Sequence, residues 1–336
     1  MHQERVKQMD PYDFMEKQKL PYETKKQHAI AVAREFHEKL NGKTFCSVGG
    51  LDSITLLAFL RKYVDRSIPG VAVSTLEDRS VQKVHHQLEN MALLKPHKSQ
   101  VLIFKEFGYP VISKDIAGKI ELLQNPTEKN ATVRNAILTG NTGEQGGNKY
   151  SRFMHLPQKW LKLFAEQEAP FKVSSKCCYY LKEKPCDDYA KKNKSYVYMG
   201  LMASEGGRRQ KALIAHGCNY YGKTVTRSCP FAIFSRTDLL RLALELEIPV
   251  PEIYGQIVEQ PDGSLETTRA KRTGCTMCGF GIHMEKRPHR FDRLRESSPK
   301  EWEFWMYKMG WGKVLDYIGV AWEDEYVSHE QLRLSV

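Results

Sequence analysis

Short apolar runs alternate along this chain with longer stretches whose apolar side chains recur at helical spacing, the pattern of a parallel sheet covered by helices. Residues 1–21 are polar and carry Pro11 and Pro21, which predicts a lead-in with little structure. From Tyr22 to Leu40 the residues Ala29, Ala31, Val32, Phe36 and Leu40 form one stripe, and Asn41-Gly42 closes that helix. Thr44 to Val48 is a short β-prone run, Gly49-Gly50 a tight turn, and an apolar helix follows to about Tyr63 with Asp52 and Ser53 as its N-cap chemistry. Pro69 to Thr75 reads as a second parallel strand, Ser80 to Leu88 as a helix and Val101 to Phe104 as a third strand. Further on, Tyr196 to Met199 is a strand ending at Gly200. Ser235 caps a helix that turns Leu239, Leu240, Leu242 and Ala243 inward and ends at Ile248-Pro249. Between Gln124 and Met154 the chain is polar and glycine-rich, which predicts a mobile insertion, and Trp302, Trp305, Trp311 and Trp322 predict a packed helical cap at the end.

With 336 residues the chain buries a substantial core, as one large domain or two smaller ones. The apolar run from Ile54 to Leu60 is far too short to span a bilayer, and the polar start His2-Gln3-Glu4-Arg5 lacks a signal-peptide core, so a cytoplasmic protein without a membrane partner is expected. In that compartment thiols stay reduced, and eight cysteines point to metal or redox chemistry before disulfides. A formal charge of +11 attracts polyanions, nucleic acid among them, but it equally suits a protein that surrounds phosphate groups with cations.

Three stretches carry the candidate chemistry. A strand that turns through Gly49-Gly50-Leu51-Asp52-Ser53 into a helix presents free backbone N–H groups and a positive dipole end, which suits a phosphate or pyrophosphate. It is not a Walker loop, since no Gly-Lys-Ser/Thr follows, nor the dinucleotide fingerprint, since the third glycine is missing. Ser74 and Thr75, at the end of the second strand, are candidate neighbours of a ligand there, because ligands of open α/β sheets sit at the carboxyl ends of strands. Glu205, Arg208 and Arg209 follow Gly200, and paired guanidiniums match the shape of oxyanions. Finally, Cys177-Cys178 and the distant Cys275-x-x-Cys278 supply four thiols. Adjacent cysteines are awkward on one small tetrahedral ion but reach different irons of a cluster, so a four-iron cluster, a structural zinc and unliganded thiols are the readings, with Cys186 a spare for Cys177. Cys46, Cys218 and Cys229 read as packing residues.

The loop resembles the PP-loop, Ser-Gly-Gly-x-Asp-Ser, of ATP pyrophosphatases and of the phosphoadenosine phosphosulfate (PAPS) reductase family; its first serine falls on Val48, with Ser47 one place early. Phe107 to Lys114 resembles a segment of phage and bacterial PAPS reductase-like proteins. The pairing of Cys-Cys-x-x-x-Lys-x-x-Pro, here Cys177 to Pro185, with a distant Cys-x-x-Cys is similar to the [4Fe-4S] site of assimilatory adenylylsulfate reductases. Pro230 to Leu240 looks like the family's Pro-Leu-x-x-Trp-Thr-x-x-Asp-Val, and the segment from Gly200 through Glu205 resembles its Gly-x-x-x-x-Glu-x-x-Arg, with Gly206-Gly207 leaving the arginine as either Arg208 or Arg209.

The resemblance implies an α/β fold of the adenine nucleotide α-hydrolase-like type, a parallel sheet flanked by helices. It divides the chain into a lead-in at 1–43, a PP-loop domain at 44–260 and a cysteine-containing helical region at 261–336. Implied as nucleotide-binding are Ser47, Gly49, Gly50, Leu51, Asp52, Ser53, Ser74, Thr75 and Glu205, with Asp52, Ser53, Arg208 and Arg209 acting in catalysis. Cys177, Cys178, Cys275 and Cys278 are implied as cluster ligands. The implied activity is cleavage of ATP, with Mg²⁺, between its α and β phosphates, coupled to iron–sulfur-assisted transfer of sulfur from a donor protein to a tRNA or DNA acceptor. Reduction of adenylylsulfate or PAPS is the alternative, although the reductases' C-terminal nucleophilic cysteine has no counterpart after Cys278. A non-catalytic nucleotide- or nucleic-acid-binding protein is the third reading.

Overall fold

A computed structural model describes residues 10–73, 77–140 and 154–323 of the chain. Two compact units emerge, each made of two stretches: Met1–Pro96 with Lys184–Gly274, and His97–Glu183 with Cys275–Val336.

The first unit is built on a six-stranded sheet in the order Met91–Leu94, Gly70–Val73, Thr44–Ser47, Tyr196–Tyr198, Thr226–Ser228, Asn219–Tyr221. All neighbouring strands are parallel except the last pair, which is antiparallel. Thr44–Ser47 lies in the middle, with Cys46 opposite Gly70 on one side and Tyr198 on the other. A strand in that position has no exposed edge and is covered on both faces, which is why Phe45 and Cys46 are almost fully buried. Helix Tyr22–Lys39 turns Ala29, Ile30, Val32, Ala33 and Phe36 inward, and the loop helix Leu51–Tyr63 buries Leu51, Ile54, Leu56, Leu57, Phe59 and Leu60. The stripe on the first of these helices therefore excludes Ala31, which is exposed. Ahead of it the lead-in holds a helix of its own, Pro11–Gln18, capped by Asp10 through the Tyr12 amide at 2.8 Å. Cys46, Cys218 and Cys229 are buried as packing residues, and burial pushes the thiols of Cys218 and Cys229 up to about 11 and about 12.

Beside the sheet, helix Arg236–Glu245 is fixed at its start by a reciprocal cap between Ser235 and Asp238. The same Asp238 takes a buried ion pair from Lys25 at 2.7 Å, with both side chains no more than a tenth exposed. That pair ties helix Tyr22–Lys39 to the first turn of the helix carrying Arg236.

In the second unit Val101 to Phe104, expected as a strand, belongs instead to helix Gln100–Phe107, started by Ser99, whose Oγ accepts from the Leu102 amide, and stopped at Gly108. The third strand of the first unit is Met91–Leu94, which the sequence reading passed over. The stretch expected as an insertion holds helix Ala131–Thr139, and its residues 141–153 lie outside the described ones. Val111–Ile112 pairs in parallel with Gly279–Phe280. Trp311, fully buried, packs edge-on against Phe104, Tyr109 and Phe291, while Trp302, Tyr307 and Trp322 pack on one another with Arg295 over the Trp302 ring, so the tryptophan-rich end is a packed cap. Among the described residues no helix is long and apolar enough to cross a membrane.

Candidate functional site

The loop leaves the central strand at Val48, whose amide still bonds to the Val71 carbonyl at 2.8 Å and whose side chain is buried with Cys46 in the core. Ser47 is the last residue of the strand, one position before Val48. Neither Gly49 nor Gly50 has a positive φ; Gly50 is the N-cap, at φ −79°. What glycine provides at position 50 is space, since an added Cβ would meet Tyr254 Oη at 2.2 Å and Thr273 Oγ1 at 2.7 Å. Gly200, at the end of the neighbouring strand, comes similarly close: its Cβ would be 3.2 Å from the Asp52 backbone.

The capping differs from the sequence expectation. Asp52 and Ser53 do not cap the helix; they are its second and third residues. Ser53 Oγ accepts from the Gly49 amide at 2.7 Å and donates to the Gly50 carbonyl at 3.0 Å, closing the loop on itself. Leu51, the first helical residue, donates its amide to Tyr254 Oη at 3.0 Å, and that hydroxyl meets Thr273 Oγ1 at 2.7 Å. On the other side His85, nearly fully buried, donates from Nε2 to the Gly49 carbonyl at 2.7 Å. Buried Glu77 is a further neighbour, its Oε1 lying 3.6 Å from where a Gly49 Cβ would be.

Around the helix start the structure gathers guanidiniums on carboxylates. Arg236 pairs with Asp52 and also reaches the Lys271 carbonyl at 3.2 Å. Glu205, with a side chain only 3% exposed, is shared by Arg209 and by Arg272 at 3.4 Å. One carboxylate between two guanidiniums leaves a positive excess directed outward. Burial raises the Asp52 carboxyl and Glu205 raises it further, while Arg236 and Arg209 pull it back. Arg208 lies in helix Gly207–His216, its side chain outside what the structure describes, and Ser74 and Thr75 fall outside the described residues. Arg236, Arg272, Glu77, His85 and Thr273 took no role in the sequence reading. Of these only Arg236 had a local signal, its place one residue after the cap Ser235. A Mg²⁺ accompanying a nucleotide keeps most of its water and leans on phosphate oxygens, so Asp52 and Glu77 are the carboxylates close enough to the loop to add to its shell.

All four candidate ligand cysteines belong to the second unit, whereas Cys186 belongs to the first. Cys177 and Cys178 lie in the helical turn Lys176–Cys178, whose start is held by Ser174 Oγ on the Lys176 amide at 3.0 Å and by Glu121 on Lys176 at 2.8 Å. Cys275 and Cys278 form a tight turn closed by the Cys278 amide on the Cys275 carbonyl at 3.0 Å. Arg290, itself clamped by Glu285, donates to the Cys278 carbonyl at 2.9 Å. Burial pushes the Cys177 thiol far up, and the charges of Cys275, Cys178 and Cys278 act on it in the same direction. Lys114 and Lys182 act on Cys178, and Arg290 on Cys278, in the opposite sense, as cations that would offset thiolate charge. No group of three or more His, Cys, Asp or Glu side chains among the described residues stands at the spacing that holds a metal ion.

The first unit is thus an α/β sheet domain with an anion-suited loop at the carboxyl end of its central parallel strand, the position where such sheets bind ligands. No protein-family model matches the chain, and no curated protein matches it. Among solved structures, a phosphoadenylyl-sulfate (PAPS) reductase from Candida auris in complex with phosphate is similar, at 9% identity and a TM-score of 0.34, over 66% of this chain and 83% of that one.

Proposed function

We propose that the first unit binds an adenine nucleotide, ATP with Mg²⁺, through the loop from Gly49 to Ser53 and splits it between the α and β phosphates to activate a nucleic-acid acceptor. The observation that carries this reading is a helix entered through two glycines whose second residue, Asp52, holds Arg236 and feels the charge of Glu205 and of Arg209, with Glu205 shared between Arg209 and Arg272. In it Ser53 keeps the loop closed, Asp52 orients Arg236, and Glu205 orients Arg209 and Arg272 towards the α phosphate of the adenylyl group being transferred and the departing pyrophosphate. The second unit's Cys177, Cys178, Cys275 and Cys278 would hold a [4Fe-4S] cluster, a reading supported by their spacing in the sequence, by the charge they exert on one another and by that of Lys114, Lys182 and Arg290. Such a group supplies sulfur or electron transfer; the residues around it contribute burial and charge balance. Reduction of a sulfonucleotide is the alternative; it needs a free thiolate as nucleophile, a role this reading gives to none of Cys177, Cys178, Cys275 and Cys278, which it assigns to the cluster.

The test is product analysis. Wild type should release pyrophosphate and AMP from ATP, measured with and without tRNA or DNA, and should release no sulfite from adenylylsulfate or PAPS with thioredoxin. Asp52→Ala and Ser53→Ala should weaken nucleotide binding. Arg209→Ala combined with Arg236→Ala should slow turnover by about a hundredfold, the scale of losing a preorganised charge contact. Robust sulfite release, or unchanged binding in both loop variants, would overturn the reading.

A further inference from the structure

The nucleotide reading does not account for the hydroxyl on the Leu51 amide. The first N–H groups of a helix lack intrahelical partners and are the ones an anion uses. Here the Leu51 amide is already taken, by a phenol that comes from far along the chain and is only 2% exposed. Tyr254 Oη accepts from the Leu51 amide and shares a second hydrogen bond with Thr273 Oγ1, giving a chain that links Leu51 N–H, the phenol and the Thr273 hydroxyl. The turn Glu252–Tyr254 that delivers the ring ends at Gly255, with φ 69°, and is bonded to its surroundings through the backbone of Arg269 and Ala270 and through Ser80 Oγ. Gly50 bears on the same point independently. The space left by its missing Cβ is the space the phenol oxygen fills, and a phosphate oxygen at hydrogen-bond distance from the Leu51 amide could not share it.

We propose that Tyr254 is a built-in competitor for the loop: its phenol holds the position on the Leu51 amide that a phosphate oxygen of the nucleotide takes, and binding turns the hydroxyl away from that amide. This rests on the nucleotide reading of the same loop. A charged phosphate is the stronger acceptor, so the exchange runs in its favour, and the cost is the neutral bond that is surrendered. Thr273 sets how firmly the phenol is held.

The test is calorimetric titration of ATP and of inorganic pyrophosphate into wild type, Tyr254→Phe and Thr273→Val, with thermal unfolding to verify that each variant is folded. Tyr254→Phe keeps the ring and deletes the competing oxygen, and should bind both ligands roughly three- to tenfold more tightly, the range one neutral hydrogen bond makes in an equilibrium. Thr273→Val leaves ring and phenol in place but removes the catch, and should shift affinity the same way by less. In wild type selectively ¹⁵N-labelled at leucine, saturating pyrophosphate should move the Leu51 amide resonance. Wild type that binds while Tyr254→Phe binds equally or more weakly would show the phenol to be a permanent cap and sink the proposal alone. Absence of binding in wild type with binding in Tyr254→Phe would support it, and absence of binding in every form would sink both this proposal and the nucleotide reading.

Discussion

Replacing Gly50 by Ala puts a methyl group where the structure has two oxygens. The added carbon would lie 2.2 Å from Tyr254 Oη and 2.7 Å from Thr273 Oγ1, well inside ordinary contact. The backbone itself does not object, since φ at Gly50 is −79°. Relief requires the buried hydroxyls to move, which gives up the bond to the Leu51 amide at about 1 kcal/mol and leaves overpacking of about 1–3 kcal/mol. The total, about 2–4 kcal/mol, corresponds to a fall in the unfolding midpoint on the order of 10 °C for a unit of this size. Gly49→Ala is the control, because its Cβ would meet only Glu77 Oε1 at 3.6 Å and Ser53 Oγ at 3.9 Å. Gly50→Ala combined with Tyr254→Phe removes the closest oxygen and leaves Thr273 Oγ1 at 2.7 Å and the ring carbon at 3.5 Å, so the double variant should recover part of the loss and be more stable than Gly50→Ala alone. Thermal unfolding of the four proteins measures all of this. Equal stability of the two single alanine variants, or a double variant no better than Gly50→Ala, would refute the reasoning.

Protein purified anaerobically should be brown and carry about four irons per chain, with Cys275→Ser or Cys278→Ser bleaching it; stoichiometric zinc without iron by elemental analysis would reject the cluster. Asp292 should mark the acid limb of stability. Burial would raise its carboxyl, but hydrogen bonds from His289 and Arg287 outweigh that and lower it from 3.8 to about 2. A lowered acid stabilises the fold above its ordinary value and loses that contribution as pH falls through the folded one, so about 2 kcal/mol should disappear between about pH 4 and pH 2. Asp292→Asn should flatten denaturant midpoints in that window, and a wild-type slope that survives the substitution would contradict the assignment. Lys25→Met should cost about 3 kcal/mol by leaving Asp238 buried without its cation, visible as a lowered urea midpoint.

The strand, glycine turn and helix from Thr44 to Tyr63 were legible in their bounds, because period and glycines lie within one short window, while the capping assigned to Asp52 and Ser53 was not borne out. So were the strand at Tyr196–Tyr198 and the helix started by Ser235. Val101 to Phe104 misled because a β-prone apolar block is indistinguishable by period from one turn of a buried helix; Ser99 before it and Gly108 after it were the available signals. Met91–Leu94 was missed for the opposite reason, a run too short to show alternation and lacking β-branched residues, whose place is set by pairing with Gly70–Val73.

What could not be read is the set of contacts that decides what the loop does, since each joins residues remote in sequence. Arg236 reaches Asp52 across 184 positions and Tyr254 reaches the Leu51 amide across 203. A local window shows a helix start in need of partners and says nothing of whether they arrive from solvent, from a ligand or from another part of the chain. In this fold a tyrosine answers for one amide, a serine in the loop answers for another, and the guanidiniums are kept on carboxylates. Of these contacts the phenol on the Leu51 amide is the one that an incoming phosphate would replace by a stronger, charged counterpart, while Ser53 and the carboxylates keep the loop and the guanidiniums in place. Ligand affinity is then a difference between two satisfied states, so substitutions that weaken the internal partners, at Tyr254 or Thr273, should tighten binding, while those that remove the shared donors or cations, at Arg209 and Arg236, should weaken it.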